Sequence, residues 1–317
     1  MTILNLGLFL VFLFVLIKCA GFSIKYSSRI AREFHLPEFI VSFFIIAVLS
    51  VLPEATISII SAIKGEPGLG FGTLLGSNVT DLTLVFGIVA LLSSGGIKVR
   101  SKILSNKFFY LILFLFPLIL GLDGRFSRID GAVLVLVGLL FFARIYIVSK
   151  RFHKKFNDAK KKEHILKNIL LLILSFILLL GSAYLTVKFA VNFANDLKLP
   201  AILIGVTILA IGTCLPELTF SIKAIRKNHN ELALGDVLGT VITDATIVLG
   251  IVALICPFNY PIYNIYITGG AMFLAGLFVL VFMKTDRELS KREGILLIFF
   301  YIIFVLVEFF ANRIINS

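Results

Sequence analysis

The feature that most limits how this chain can fold is its alternation of long apolar runs with short polar stretches. Ile3 to Ile17 and Leu111 to Leu122 carry no charge at all, and about 20 such residues cross the ~30 Å hydrocarbon core of a bilayer as a helix. Windows bounded by Gly, Pro and clustered charge fall near 3–24, 36–63, 69–94, 108–122, 129–149, 166–191, 199–224, 233–256, 262–283 and 294–312. With 59% of residues hydrophobic, 15% charged and a mean hydropathy of +1.05, no water-soluble fold fits the balance. The expected class is an all-α polytopic membrane protein with ten transmembrane helices.

The formal charge of +12 invites a nucleic-acid reading, but Lys and Arg lie in short loops between apolar runs, without aromatic or glycine-rich basic patches. Assigned alternately, twenty-two of them fall on one side of the membrane and five on the other. The positive-inside rule then places both termini outside and the basic stretch 150–167 in the cytoplasm, as a topology signal. His35, His153, His164 and His229 fall at those cytoplasmic ends, where solvation accounts for them. Three cysteines, Cys19, Cys214 and Cys256, have no CxxC spacing, so neither a disulfide framework nor a zinc site is expected. The first apolar run has no basic residue before it and no small-residue cleavage pattern after it, and reads as a retained span.

Shifted by 163 residues, the chain matches itself. Leu36-Pro37 aligns with Leu199-Pro200, Leu52-Pro53-Glu54 with Leu215-Pro216-Glu217, Gly76 with Gly239, Thr80-Asp81 with Thr243-Asp244, and Gly87 to Leu91 with Gly250 to Leu254. Apolar matches are expected by chance in a membrane protein; Pro, Glu, Asp and Gly in one register are not. Five spans separate the copies, an odd number, so the second enters the membrane from the opposite side. The reading is two inverted-topology five-helix repeats, residues 1–149 and 166–317, joined by a basic cytoplasmic connector, 150–165. In secondary transporters of this architecture the substrate site lies near the midplane, between the repeats.

Acidic residues inside apolar spans are costly and call for a partner, a cavity or a bound cation. Glu54, Asp81, Glu217, Asp236 and Asp244 meet this description. Ser50, Glu54 and Ser58 share one face of the second span, and Thr213, Glu217 and Ser221 repeat that face on the seventh. Thr73, Ser77 and Asp81 on the third span are matched by Asp236, Thr240 and Asp244 on the eighth. For Asp236, near the start of its span, stabilisation of a helix N-terminus competes with ligation. Pro53 and Pro216 free backbone carbonyls near Leu49 and Gly212, at the depth of the glutamates. Gly72/Gly76 and Gly235/Gly239 have the GxxxG spacing that lets helices approach closely. Carboxylates, hydroxyls and carbonyls without a His or Cys cluster make an all-oxygen shell, better suited to calcium than to magnesium. The competing structural reading is a hydrogen-bonded polar cluster that holds helices together.

These motifs resemble the two alpha-repeats of the calcium/cation antiporter superfamily, and its sodium/calcium exchanger family in particular. Those repeats read roughly GTSLPE followed by GNxxGSNxFN/D. Here they are LSVLPE (Leu49 to Glu54) and GTLLGSNVTD (Gly72 to Asp81), then GTCLPE (Gly212 to Glu217) and GDVLGTVITD (Gly235 to Asp244). The resemblance implies Glu54 and Glu217 as central calcium ligands, assisted by Ser50 and Thr213 and completed by Asp81 and Asp244. It implies that Ala47, Ala210, Ser77 and Thr240 supply oxygens to flanking sodium sites, and that the first and sixth spans slide past the rest. The chain departs from the pattern at Val51 and Cys214, where a hydroxyl is usual, at Asp81 and Asp236, where Asn is frequent, and at Val241. Each flanking sodium site loses an oxygen and the cluster gains acid, so proton coupling, altered stoichiometry and another divalent such as manganese stay open.

The leading functional expectation is a secondary antiporter that moves Ca2+ across the membrane in exchange for Na+, with a proton-coupled Ca2+ or other divalent antiporter as the alternative. A cation channel is the weaker reading, because pores more often use oligomeric symmetry about one axis. An intramembrane aspartyl protease using Asp81 and Asp244 would leave the paired glutamates without a role. No cofactor motif or nucleophile triad is present, so neither an enzyme nor a resident cofactor is expected. The expected partners are the transported ions and the lipid bilayer, with no nucleic acid and with a monomer as the simplest assembly. The expected location is the plasma membrane of a prokaryote.

Overall fold

The computed structural model describes residues 2–33, 50–93, 95–98, 107–149, 165–226, 230–283 and 288–315. Ala47, the four histidines and nearly all of the connector lie outside them. The described part of every span is helical. Helix α1 (Thr2–Glu33) is the first span and α2 (Leu52–Ile63) the described part of the second. The third joins α3 (Pro67–Thr80), a π-helical turn (Asp81–Val85) and α4 (Phe86–Leu92). Helices α5 (Lys107–Leu120), α6 (Arg128–Ser149) and α7 (Ile165–Leu197) are the fourth to sixth. The seventh joins α8 (Ala201–Ile204), a π-turn (Gly205–Leu209), α9 (Ala210–Thr213) and α10 (Leu215–Arg226). The eighth joins α11 (Asn230–Thr243), a π-turn (Asp244–Val248) and α12 (Leu249–Ile255). The ninth is a π-turn (Ile265–Gly269) with α13 (Gly270–Phe282), and the tenth is α14 (Lys291–Ile315). These are the ten spans of an all-α polytopic protein, in two inverted five-helix repeats.

Helices α1 and α7 outrun their apolar windows for local reasons. The extension of α1 carries Lys25 and Arg29, whose charged ends stand 5.7 and 5.9 Å from the centroid of the Tyr26 ring. Helix α7 ends in a Schellman turn: Leu199 N–H bonds the Ala194 carbonyl at 2.9 Å, and Lys198 takes the left-handed conformation with φ 56°. Helix α2 closes the same way, with Gly65 at φ 78° and Glu66 N–H on the Ser61 carbonyl at 2.8 Å.

The apolar interior divides in two. Helices α1 and α7 lie along each other and bury Phe9, Leu13, Leu16, Leu179, Ala183 and Val187 in a small core shared with Leu69, Ile204 and Leu209. Phe12 stacks on Phe189 there, with ring centroids 5.6 Å apart. Their outer faces expose Leu10, Phe14, Ile173 and Ile177, as lipid-facing surfaces do. The remaining spans share a larger core, centred on Phe71, Leu74, Phe86, Val237 and Leu249.

The inversion is built from identical local chemistry at the 163-residue offset. Before α6, Ser127 N–H and Oγ bond Asp130 Oδ2 at 2.8 and 2.7 Å, and Asp130 N–H bonds Ser127 Oγ at 3.3 Å. Before α14, Ser290 and Glu293 make the same three bonds at 2.7, 2.7 and 3.3 Å. Each is a capping box that satisfies otherwise orphaned amides. Short strands lead into both helices: β2 (Arg125–Phe126) pairs with β3 (Phe258–Asn259), and β4 (Glu288–Leu289) with β1 (Ile97–Lys98). Two glycine crossings repeat likewise. A Cβ on Gly87 would stand 2.7 Å from the Gly294 carbonyl oxygen, and one on Gly250 2.7 Å from that of Gly131. Thus α4 meets α14 as α12 meets α6, backbone against backbone.

Candidate ion-binding site

The site begins where the seventh span breaks. Pro216 has no N–H to give the Gly212 carbonyl, and the helix interrupts at Cys214 before resuming as α10. In the first copy, Val51 forms the equivalent interruption ahead of α2 and Pro53. Glu54 and Glu217 therefore occupy the first turns of restarted helices, where partly unsatisfied amides favour negative charge.

Asp81 and Asp244 each open a π-helical turn. Such a turn adds one residue to the helix and recurs at functional sites. Thr83 and Thr246, two residues on, both bond the carbonyls four residues before, those of Val79 and Ile242. Asp236 lies well inside α11, past its first turn. A dipole contribution fades over that distance, so stabilisation of a helix N-terminus does not account for it.

All five carboxylates are fully buried and near enough to act on one another electrostatically: Glu54 with Asp236, Asp81 with Glu54 and Asp236, Glu217 with Glu54, Asp81 and Asp236, and Asp244 with Glu54 and Asp81. Hydroxyls thread between them. Ser50 Oγ donates to Asp236 Oδ1 at 3.0 Å and lies 3.0 Å from Thr240 Oγ1. Ser77 Oγ lies 3.3 Å from Asp244 Oδ2 and 3.0 Å from its own Leu74 carbonyl. Thr213 faces Glu54 and bonds the Ala210 carbonyl at 3.3 Å. The Cys214 thiol is buried beside Asp81, 3.5 Å from the Ser77 carbonyl oxygen.

The oxygens of Glu54, Glu217 and Asp81, with one oxygen each of Asp236 and Asp244, have no well-formed hydrogen bond among the described residues. No Lys or Arg among those residues pairs with them. Buried charge of one sign in that number has to be neutralised by cations or protons. No three His, Cys, Asp or Glu side chains among the described residues are drawn close enough to chelate one ion unaided, which leaves hydroxyls, carbonyls and helix movement to complete a shell.

The close approach expected from Gly72 and Gly76 is present. A Cβ on Gly76 would come 2.5 Å from the Val206 carbonyl oxygen, and one on Gly205 2.5 Å from that of Leu69. The third and seventh spans thus cross at backbone contact, bringing Ser77 and Asp81 beside Ala210 and Cys214. Of the residues anticipated from sequence, Glu54, Glu217, Asp81, Asp244, Asp236, Ser50, Thr213, Ser77, Thr240 and Ala210 all sit buried in this region; Ala47 lies outside the described residues. Asn78 was not anticipated: its Nδ2 meets Met272 Sδ at 3.4 Å, and its buried Oδ1 has no partner among the described residues.

A helical membrane bundle of two inverted copies, each sending buried acids and broken helices to a common centre, defines a secondary carrier. This chain belongs to the sodium/calcium exchanger protein family, whose model matches residues 4–148 and 167–310. It is 30% identical over 303 residues to the uncharacterized membrane protein MJ0091 of Methanocaldococcus jannaschii, covering 96% of this chain and 97% of that protein. It is 26% identical over 355 residues to the sodium/calcium exchanger MaX1 of Methanosarcina acetivorans, covering 98% and 100%. Among solved structures, the sodium-calcium exchanger NCX_Mj soaked with 2.5 mM Na+ and 0.1 mM Sr2+ superposes with a TM-score of 0.69 at 29% identity, covering 96% of this chain and 98% of that one.

Proposed function

We propose that this chain is a secondary antiporter that moves Ca2+ in exchange for Na+ by alternating access at a midplane carboxylate site. The observation that carries this reading is the set of five buried carboxylates, contributed by both repeats and left without a basic partner among the described residues. Glu54 and Glu217 act as central calcium ligands with Asp81, Asp244 and Asp236 around them, and Ser50 and Thr213 assist. Ser77, Thr240 and the backbone of Ala47 and Ala210 serve flanking sodium sites. The ions compete for overlapping oxygens, so fully loaded states cross while a partly loaded, charged state does not. The separate core of α1 and α7 suits a pair of helices that slides against the rest. No resident cofactor takes part, the chain works as a monomer, and its ions are its substrates. The termini face outward from a prokaryotic plasma membrane. The names of MaX1 and of the matched exchanger structure support sodium and calcium as the ions.

Proton coupling is the second reading, favoured by the placement of Cys214: a thiol borders Asp81 where an oxygen would help hold sodium. The deciding experiment is radioactive calcium uptake into proteoliposomes loaded with sodium or with acid buffer. Losing one ionised ligand removes about 1.5–3 kcal/mol, about 10- to 150-fold in affinity. Glu54→Gln and Glu217→Gln should each therefore cut uptake driven by outward sodium, at subsaturating calcium, by about that factor. Uptake driven only by protons selects the second reading, and flux independent of either gradient removes both.

A further inference from the structure

A second buried polar group lies apart from the repeat-related carboxylates, at the seam of the ninth and tenth spans. Glu308 on α14 is fully buried. Thr268 donates from Oγ1 to Glu308 Oε2 at 3.0 Å, while Glu308 Oε1 has no partner among the described residues. Asn264, at the start of the π-turn that carries Thr268, is 1% exposed. Neither end of its amide is hydrogen-bonded among the described residues.

The behaviour of Thr268 is independent evidence. In apolar helices a buried threonine defaults to the carbonyl one turn earlier, and Thr73, Thr80, Thr186 and Thr243 all do so at 2.7–2.8 Å. Thr268 sits in the π-turn Ile265–Gly269 and turns to another helix instead. Its oxygen, having given its proton to Oε2, keeps lone pairs free beside Oε1. Buried amides and carboxylate oxygens are rarely left unbonded in native interiors unless something else binds them. No cationic side chain pairs with Glu308 among the described residues. Nor is the group a relic of the duplication, because the 163-residue offset puts Ile145 opposite Glu308.

We propose that Glu308, Thr268 and Asn264 form a separate, asymmetric binding site for a monovalent alkali cation between the ninth and tenth spans. One carboxylate balances one positive charge, whereas a divalent ion would leave net charge buried in hydrocarbon. The donors are a carboxylate, a hydroxyl and an amide oxygen, all hard, and the π-turn loosens the backbone carbonyls that complete a shell. The site does not depend on which ion drives transport, so its test stands apart from that of the exchange reading.

The test is equilibrium binding of radioactive sodium to the purified full chain in detergent, with calcium chelated, in the Glu54→Gln/Glu217→Gln background. Adding Glu308→Gln should lower the bound sodium by one ion per chain, and Thr268→Val, which keeps the carboxyl, should weaken that ion about ten-fold, the worth of one modest contact. If Glu308→Gln does not remain monodisperse, the test rests on Thr268→Val and Asn264→Leu, each of which should weaken that one sodium ion about ten-fold. Binding left unchanged by these substitutions overturns the proposal and leaves Glu308 as a neutral acid hydrogen-bonded to Thr268.

Discussion

At position 214 a thiol stands where the first copy has Val51, and both side chains are about 2% exposed. Neither supplies the hydroxyl usual in the family motif, and Cys214 is one atom from the serine that would. Cys214→Ser places an oxygen beside Asp81 and the Ser77 carbonyl. It should lower the sodium concentration needed for half-maximal calcium uptake several-fold, as gaining one hydrogen-bond-strength contact of about 1 kcal/mol does; an unchanged value means sodium is not held there. Gly76 makes a different demand. Its Cβ would overlap the Val206 backbone, which cannot move aside as a flexible side chain can, so Gly76→Ala should cost about 1–3 kcal/mol, read as a lower thermal midpoint in detergent. Both residues were visible in the sequence: the glycine by its spacing, the cysteine by its place in the motif. Glu308 was also visible as an acid inside an apolar run, the same signal that marked the other five, but it has no counterpart in the first copy. Reading by repeat passed over it, together with Thr268 and Asn264. What the sequence withheld is which hydroxyl bonds to which acid, since that depends on how four helices cross.

Among the elements, the two capping boxes are the sharpest comparison the molecule offers. Ser127→Ala and Ser290→Ala each remove the same bonds from the same local motif, so each should cost about 0.5–2 kcal/mol. The two losses should be similar in thermal unfolding and should leave ion selectivity unchanged; a large loss at one end alone would mean that the cap there also bears on the site. The boxes were legible, as Ser followed three residues later by Asp or Glu ahead of an apolar run. The proline breaks were legible too. The π-turns at Asp81 and Asp244 were not, because no residue type prescribes an extra residue in a helical turn; the turn forms where packing against neighbours rewards it. Nor were the ends of α1 and α7, which overrun their apolar windows because nothing in those stretches breaks a helix.

For the whole molecule, the asymmetry of Lys and Arg should determine which way both repeats face. In a cysteine-free background, Asp123→Cys, in an exposed turn bonded to Arg125 at 2.8 Å, should react with a membrane-impermeant maleimide in intact cells. Gly95→Cys, on the opposite side, should react only after permeabilisation. The reverse pattern would invert the topology without disturbing the repeat. The fold was legible at this scale because an odd number of spans between matched motifs leaves one geometric outcome. The division of the interior into a two-helix core and a larger one was not, since apolar residues in both read alike.

The hydroxyls of Ser50 and Thr213 occupy equivalent positions yet behave differently. Ser50 reaches across to Asp236 and Thr240, whereas Thr213 faces Glu54 and bonds the Ala210 carbonyl of its own helix. Under the proposed alternating access the two halves exchange roles, and each half then displays the posture the other takes in the opposite-facing form. The opposite-facing form should then have Thr213 within reach of Ser77, the equivalent of Thr240. A single snapshot of this chain would then carry, in its other half, a drawing of its second state.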